Sequence, residues 1–142
     1  MQIDFVSRAL CFGDTQPAVV VSVEPLIIAA YSDEMDGVVM LRFPSEFVEK
    51  YSLCPGFRLT TSNVYFTPRQ LANDIFVGED YSRQYNDFTP IVQLFLGKND
   101  EKISAKVGLF SEEVWDKVVD KANEYRKLHP QLWRDGFFYF KK

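Results

Sequence analysis

The chain has 142 residues, of which 46% are hydrophobic and 25% are charged, and its formal net charge is −4. This composition is that of an ordinary globular domain, and it excludes the disordered, collagen-like and coiled-coil classes. The negative charge without a basic run argues against nucleic-acid binding, and no segment approaches the ~18 apolar residues of a membrane-spanning helix. We therefore expect a single cytoplasmic globular domain over residues 1–142, with neither nucleic acid nor membrane as a partner.

The unusual feature of the composition is its aromatic content. The chain has 13 Phe, 7 Tyr and 2 Trp against one His and two Cys. Aromatic side chains supply packing and contact area, whereas His and Cys supply much of the proton-transfer, metal and nucleophile chemistry. The balance favours a protein that packs or recognises over one that catalyses. Cys11 and Cys54 have no CxxC partner, and we expect both to be reduced thiols.

The first part of the chain predicts strands joined by tight turns. Residues 18–23 and 26–31 are rich in Val and Ile, and they flank Glu24-Pro25, where proline interrupts the hydrogen-bond ladder. They predict two strands, or one strand with a sharp bend. Asp36-Gly37 favours positive φ. This pair predicts a hairpin turn before a further strand over residues 38–43.

Two helices and a strand are predicted between residues 44 and 76. Pro44-Ser45-Glu46 opens a short helix, which extends to about Leu53. Residues 57–66 are β-branched and aromatic, and they predict a strand. Thr67-Pro68-Arg69-Gln70 has the pattern of a capping box, which predicts a helix from Pro68 to about Phe76.

A long loop and a second hairpin are predicted next. Residues 77–87 show no clear period and predict a loop. Residues 88–96 and 103–110 flank Gly97–Lys102 and predict two strands joined by a turn. The second of these strands shows a period of two.

The end of the chain predicts a long helix and a closing strand. Ser111-Glu112-Glu113 caps a helix from residue 112 to about 128, whose apolar residues form one stripe. Glu113 and Lys117 stand at the spacing of a stabilising helical ion pair. Phe137–Phe140 predicts the closing strand.

The order of elements predicts an α+β fold. Strands broken by isolated helices, with hairpin-length connections, favour a single layer of mostly antiparallel sheet. We expect about six or seven strands, with about three helices packed mainly on one face.

Motifs for metal binding, phosphate binding and nucleophilic catalysis are absent from the sequence. Ser32–Gly37 begins like a calcium loop, but Phe43 stands where the twelfth-position glutamate is required. His129 has no ligand nearby in sequence, and its place at a helix end predicts a structural or exposed role. Asp74 and Glu79-Asp80 are candidates for paired carboxylates by location alone. We expect no cofactor, no metal and no catalytic residue, and a carboxylate-based enzyme is the least favoured function.

One irregular segment concentrates the residue types found at interface hot spots. It contains Tyr81, Arg83, Tyr85 and Phe88, and no helix or strand period requires these residues to face the core. The alternative is that one or two of the rings fold back over the core. Trp133, near the end of the chain, is a weaker second candidate for a binding residue.

These features predict a small interaction module that binds a protein partner, of the inhibitor, immunity or adaptor type. The alternative is a small-molecule-binding domain with an aromatic-lined pocket. A pocket of about 300–1,000 Å³ with a few convergent polar groups would favour the small molecule. An exposed aromatic patch would favour the protein.

Overall fold

The structure is a computed structural model that describes residues 13–96 and 100–140. Cys11 and residues 97–99 of the predicted second turn lie outside these ranges. The described strands are β1 (Asp14–Val23), β2 (Leu26–Ser32), β3 (Gly37–Phe43), β4 (Arg58–Phe66), β5 (Asp87–Val92) and β6 (Arg134–Asp135). The described α-helices are α1 (Glu46–Lys50), α2 (Asp100–Ala105) and α3 (Glu112–Leu128). No helix in these ranges combines the length and the apolar content needed to cross a bilayer.

The strands form one sheet in the spatial order β5-β4-β1-β2-β3-β6. Hairpins join β1, β2 and β3, and β4 returns to pair with β1, which is the Greek-key arrangement. The pairs are antiparallel except that of β3 with the two-residue β6, which is parallel. The sheet curls into a half-barrel. The predicted α+β class with a mostly antiparallel sheet is confirmed.

Both faces of the sheet are covered, which explains why every residue of β2 is buried. Alternate residues of this strand belong to two separate apolar clusters. The inner-face cluster includes Leu26, Ile28, Ala30, Phe43, Phe88 and Phe95. The outer-face cluster includes Ile27, Ala29, Tyr31, Val118, Ala122 and Tyr125. An unbroken apolar run suits a strand that is covered on both sides.

Helix α3 packs on the outer face through the apolar stripe that the sequence predicts. Val118, Ala122 and Tyr125 are buried against the sheet. The Ser111 hydroxyl accepts a hydrogen bond from the Val114 N–H (3.4 Å), so the predicted N-terminal cap is confirmed. Burial of each large apolar side chain stabilises the fold by roughly 1.5–3 kcal/mol.

Helices cover both faces of the sheet. Helix α1 packs on the inner face through Phe47 and Val48, opposite to α3. A half-barrel encloses its inner face, and a straight helix of the length of α3 fits the outer side better. Short elements and the irregular segment 67–86 therefore fill the inner side.

Arg134 joins the two edges of the half-barrel. From β6 its guanidinium donates hydrogen bonds to the Asp87 carboxylate (2.9 Å) and to the Phe88 carbonyl oxygen (2.8 Å), both in β5. It also forms a bidentate pair with Asp74. Burial lowers the pKa of Arg134, but the hydrogen bonds and charges of the two carboxylates outweigh burial and raise it above its usual value.

The predicted helix from Pro68 to about Phe76 is wrong, because residues 67–86 form an irregular segment. The Ala72 N–H donates to the Asn86 carbonyl oxygen (2.9 Å), and the Asn86 side-chain amide donates to the Pro68 carbonyl oxygen (2.8 Å). Leu71 and Ala72 also pack against the inner-face cluster. Tertiary packing therefore overrides the local capping signal.

The predicted strand over residues 103–110 is also wrong, and with it the second hairpin. The chain forms α2 and then a 3₁₀ turn, Lys106–Leu109. Ile103 and Val107 are half-buried, whereas Ala105 and Leu109 are exposed. An alternating pattern also places residues four apart, which share one side of a helix. The same pattern therefore fits a short helical segment.

Two further boundaries differ from the prediction. Strand β5 ends at Val92, and Gln93–Leu96 forms a 3₁₀ turn. The Thr60 hydroxyl donates a hydrogen bond to the buried Gln93 side-chain oxygen (2.6 Å), and the Gln93 side-chain N–H donates to the Ser62 hydroxyl (2.7 Å), both in β4. The closing strand is β6, and Phe138–Phe140 forms a 3₁₀ turn instead of a strand.

Candidate functional site

A cleft of about 510 Å³ opens where the β1–β2 turn, the end of β3 and strand β6 meet. We name it the Arg42–Trp133 cleft. Its aromatic lining consists of Phe43, Trp133 and Phe137. The volume lies within the roughly 300–1,000 Å³ that is typical of small-molecule sites.

The aromatic walls of the cleft are held by the core on both faces of the sheet. Phe43 is buried in the inner-face cluster, and Phe137 packs against that cluster. Trp133 packs against the outer-face cluster. Gly136 lies so close to Phe43 that a Cβ atom there would come within 2.6 Å of the ring. The cleft is therefore preformed, which reduces the ordering cost of binding a ligand.

Three polar side chains also line the cleft: Arg42, Ser45 and Asp135. The Arg42 guanidinium lies over the Trp133 ring, 5.4 Å from its centroid, in a cation–π arrangement. The Asp135 carboxylate accepts a hydrogen bond from the Phe137 N–H (2.9 Å), which fixes the turn after β6. The cleft thus combines aromatic walls with one cationic and one anionic side chain.

Trp133 is the predicted site residue that the structure places in a ligand-sized cleft. Arg42 was not predicted. A signal for it exists in the sequence of β3, where Arg42 is the charged residue of an otherwise buried strand. Charged side chains avoid such positions unless the local environment accommodates them.

The other predicted residues do not form one exposed surface. Phe88 is fully buried in the inner-face cluster, and Tyr81 and Tyr85 are half-buried against it. The Tyr81 hydroxyl donates to the Tyr85 carbonyl oxygen (2.6 Å). The Tyr85 ring stacks on Tyr65, with 4.8 Å between centroids. Phe88 therefore has no surface to offer a partner, because the half-barrel uses the rings of this segment to cover its inner side.

Arg83 differs from these three residues because it is exposed. Its φ of 67° lies in the left-handed region, at the tip of the segment. The Ser82 N–H donates to the Glu34 carbonyl oxygen (2.8 Å), which ties the base of the tip to the β2–β3 turn. Within residues 81–88, residues 82–84 are exposed and can be reached by a partner.

A second surface lies at the C-terminal end of α3, and we name it the Phe76 surface. Phe76 is 44% exposed and Leu128 is 63% exposed, and with Val77 they line one depression of about 160 Å³. The Phe76 ring stacks on His129, with 4.2 Å between centroids. The depression is smaller than typical ligand sites, but neighbouring exposed apolar side chains are a feature of protein contact surfaces.

The Asp36 carboxylate anchors the β2–β3 turn to α3. It is 3% exposed and accepts hydrogen bonds from the Tyr31 hydroxyl (3.2 Å) and the Asp80 N–H (3.0 Å). It forms ion pairs with Lys117 (2.9 Å) and Lys121 (3.5 Å). Burial raises the pKa of Asp36, but the hydrogen bonds from Lys117 and from the Asp80 N–H, together with the charges of Lys121 and Lys117, outweigh burial and lower it. Burial raises the pKa of Tyr31 to about 12.

Asp74 and Asp80, two of the three carboxylates named as catalytic candidates, have structural partners. Asp74 pairs with Arg134, and the Asp80 carboxylate lies 3.6 Å from the Lys117 ammonium group. Lys117 was predicted to pair with Glu113, but its ammonium group forms an ion pair with the Asp36 carboxylate. These contacts tie the irregular segment to β6 and to α3.

Asp14, Asp33 and Glu34 form an acidic group near the start of β1. Burial, and then the charges of Asp14 and Glu34, raise the pKa of Asp33 above its usual value. The Asp14 carboxylate accepts hydrogen bonds from the Tyr65 hydroxyl (3.1 Å) and the Gln16 amide (2.8 Å). Over the described ranges, no group of three or more His, Cys, Asp or Glu residues is arranged to hold a metal ion.

Comparisons with protein-family models, with curated proteins and with solved structures find no match. No relative therefore supplies a function, a ligand or a site residue. The Arg42–Trp133 cleft and the Phe76 surface are two places where the described residues leave aromatic or apolar side chains accessible.

Proposed function

We propose that this domain binds a small molecule in the Arg42–Trp133 cleft. The observation that carries the proposal is a preformed cleft of about 510 Å³ with Phe43, Trp133 and Phe137 in its lining. Aromatic walls bind flat apolar groups by burial and ring contact, and a few polar groups orient the ligand. Ligand binding is preferred over a protein partner because Tyr81, Tyr85 and Phe88 pack in or against the core.

Filling the cleft tests this proposal. Ser45 is exposed and lines the cleft, and its hydroxyl makes no capping hydrogen bond to α1. A larger side chain at this position therefore removes no capping hydrogen bond. Ser45→Phe should place a ring in the cleft. Ser104→Phe is the matched control, since Ser104 is an exposed serine that lines a different depression.

The measurement is protein-observed NMR with a set of aromatic fragments. Saturable shifts of the Trp133 indole N–H are expected in the wild type and in Ser104→Phe, and not in Ser45→Phe. The proposal fails if no fragment gives a saturable shift at Trp133, or if Ser45→Phe responds as the wild type does.

A protein partner, of the inhibitor, immunity or adaptor type, is the second candidate function. The exposure of Phe76 and Leu128 beside each other favours it, because large apolar side chains at an interface centre supply much of the binding energy. Arg83, which is exposed, lies in the same irregular segment as Phe76. This segment is hydrogen-bonded to the β2–β3 turn.

Affinity capture from the source cells tests the second candidate. The baits are the wild type, the double variant Phe76→Ala/Leu128→Ala, and Val119→Ala. Val119 is an exposed apolar residue of the same helix that does not line the depression, which makes it a matched control. A partner should be recovered with the wild type and Val119→Ala and lost with the double variant. Equal recovery with all three baits would exclude the Phe76 surface.

A further inference from the structure

The backbone at Arg42 is fixed by β6. Arg42 pairs with Asp135 in the β3–β6 register, and its carbonyl oxygen accepts a hydrogen bond from the Gly136 N–H (2.8 Å). Its neighbours Leu41 and Phe43 both belong to the inner-face cluster. Successive side chains of a strand point to opposite faces, so Arg42 projects from the outer face, where Trp133 lies.

The Arg42 guanidinium is not neutralised by a carboxylate of the described chain. Arg58 and Arg134 are neutralised: Arg58 pairs with Glu112, and Arg134 pairs with Asp74 and Asp87. Arg42 instead lies over the face of Trp133. A cation–π contact leaves the N–H donors of a guanidinium available for hydrogen bonds, and two of them match both oxygens of a carboxylate.

We infer that the ligand of the Arg42–Trp133 cleft is an organic anion with a flat ring, such as an aromatic carboxylate. The ring lies beside Trp133, and the carboxylate binds the Arg42 guanidinium. This inference rests on the proposed function, because it names the ligand class of the same cleft. Arg42 is then the residue that determines specificity for a negative charge.

Asp135 provides a second test of the inference, because it lines the same cleft and carries a negative charge. A like charge near the ligand weakens the binding of an anion. The Asp135 carboxylate accepts the Phe137 N–H, and an asparagine side-chain oxygen can accept the same hydrogen bond. Asp135→Asn should therefore keep the turn and strengthen anion binding, whereas Arg42→Met should weaken it.

Isothermal titration calorimetry with 2-naphthoate, and with 2-naphthamide as its neutral analogue, tests the inference. Arg42→Met should weaken 2-naphthoate binding by about tenfold or more, since a hydrogen-bonded ion pair is lost. Asp135→Asn should tighten it, and added salt should weaken it in the wild type. Arg69→Met is the matched control, because Arg69 is exposed and does not line the cleft. Amide NMR spectra of each variant verify the fold and place the shifts at Trp133.

The outcomes separate the inference from the proposed function. If 2-naphthamide binds at Trp133 as tightly as 2-naphthoate, and Arg42→Met changes neither affinity, the cleft binds ligands but does not select anions. The inference is then overturned and the proposed function stands. If neither compound binds at Trp133 up to millimolar concentration, the inference is overturned, and the fragment measurements decide the proposed function separately.

Discussion

Replacing Arg134 with methionine should lower the free energy of unfolding by about 3 kcal/mol, because it removes the contact between the two edges of the half-barrel. Methionine keeps an unbranched apolar stem and removes the guanidinium. The lost hydrogen bonds are those to the Asp74 carboxylate, the Asp87 carboxylate and the Phe88 carbonyl oxygen.

The magnitude follows from the burial of the carboxylates that remain. The Asp74 side chain is 13% exposed and that of Asp87 is 32% exposed, so both stay partly desolvated without a countercharge. Removing one partner of a buried pair costs about 3–5 kcal/mol, whereas an exposed pair contributes about 0–1 kcal/mol. The partial exposure of Asp87 places the expected loss at the lower end of the first range. That loss corresponds to roughly 10 °C in Tm for a domain of this size.

Urea denaturation followed by circular dichroism measures this loss. Adding Asp74→Asn and Asp87→Asn to Arg134→Met removes the uncompensated charges and should restore part of the stability. Glu112→Gln is the control, since it breaks the exposed pair between Arg58 and Glu112 (2.7 Å) and should have a much smaller effect. Equal destabilisation by Arg134→Met and Glu112→Gln would refute the role assigned to Arg134.

Three further predictions concern stability. Because the folded pKa of Asp36 is lowered, its carboxylate stabilises the fold above the unfolded pKa of about 3.9, and this contribution is lost as the pH falls through the folded pKa. Asp36→Asn should therefore be less stable than the wild type at pH 7 in urea titrations, and a gap that stays constant down to pH 2 would contradict this reasoning. Gly78→Ala should cost about 1–3 kcal/mol, since its Cβ would lie 2.6 Å from the Asp36 carbonyl oxygen. Gly108→Ala, where nothing approaches the added Cβ within 4 Å, should be neutral or slightly stabilising in the same thermal melts. Phe88→Ala should cost about 3–5 kcal/mol by opening a cavity, whereas Arg83→Asn at the exposed tip should change the melting temperature little; similar losses in both would show that the tip is structural.

Elements with a long or strongly biased pattern could be predicted from the sequence. The apolar run of β2, the turn at Asp36-Gly37 and the stripe of α3 each agree with the structure. In these elements the local preference and the tertiary contacts favour the same conformation. Their boundaries are therefore also close to those predicted.

Segments with a weak pattern could not be predicted, because distant contacts decide their conformation. The capping-box pattern at Thr67-Pro68 is overridden by hydrogen bonds between Ala72, Pro68 and Asn86. The alternation of residues 103–110 favours a strand by its period, but it also places Ile103 and Val107 four residues apart, on one side of a helix. No local signal in either segment reveals which packing partner it will meet.

The candidate site could be predicted only in part. Trp133 stands out by residue type, but its neighbour in the cleft, Arg42, lies far from it in sequence. The two meet because the short strand β6 pairs parallel to β3 at Leu41 and Arg42. A two-residue strand has too few side chains to show a period, so this juxtaposition depends on the fold.

The position of β4 beside β1 has a consequence for the order of folding. The β1–β2 and β2–β3 hairpins join residues that are close in sequence, whereas the β1–β4 pair must bring Asp14 to Asn63 and Val19 to Arg58. The entropy cost of closing a loop rises with its length, so the hairpins should form before β4 is added. Sheets with many such distant pairs fold slowly. In hydrogen exchange, the central β2 amides should therefore be protected first during refolding, with those of β4 and β5 following.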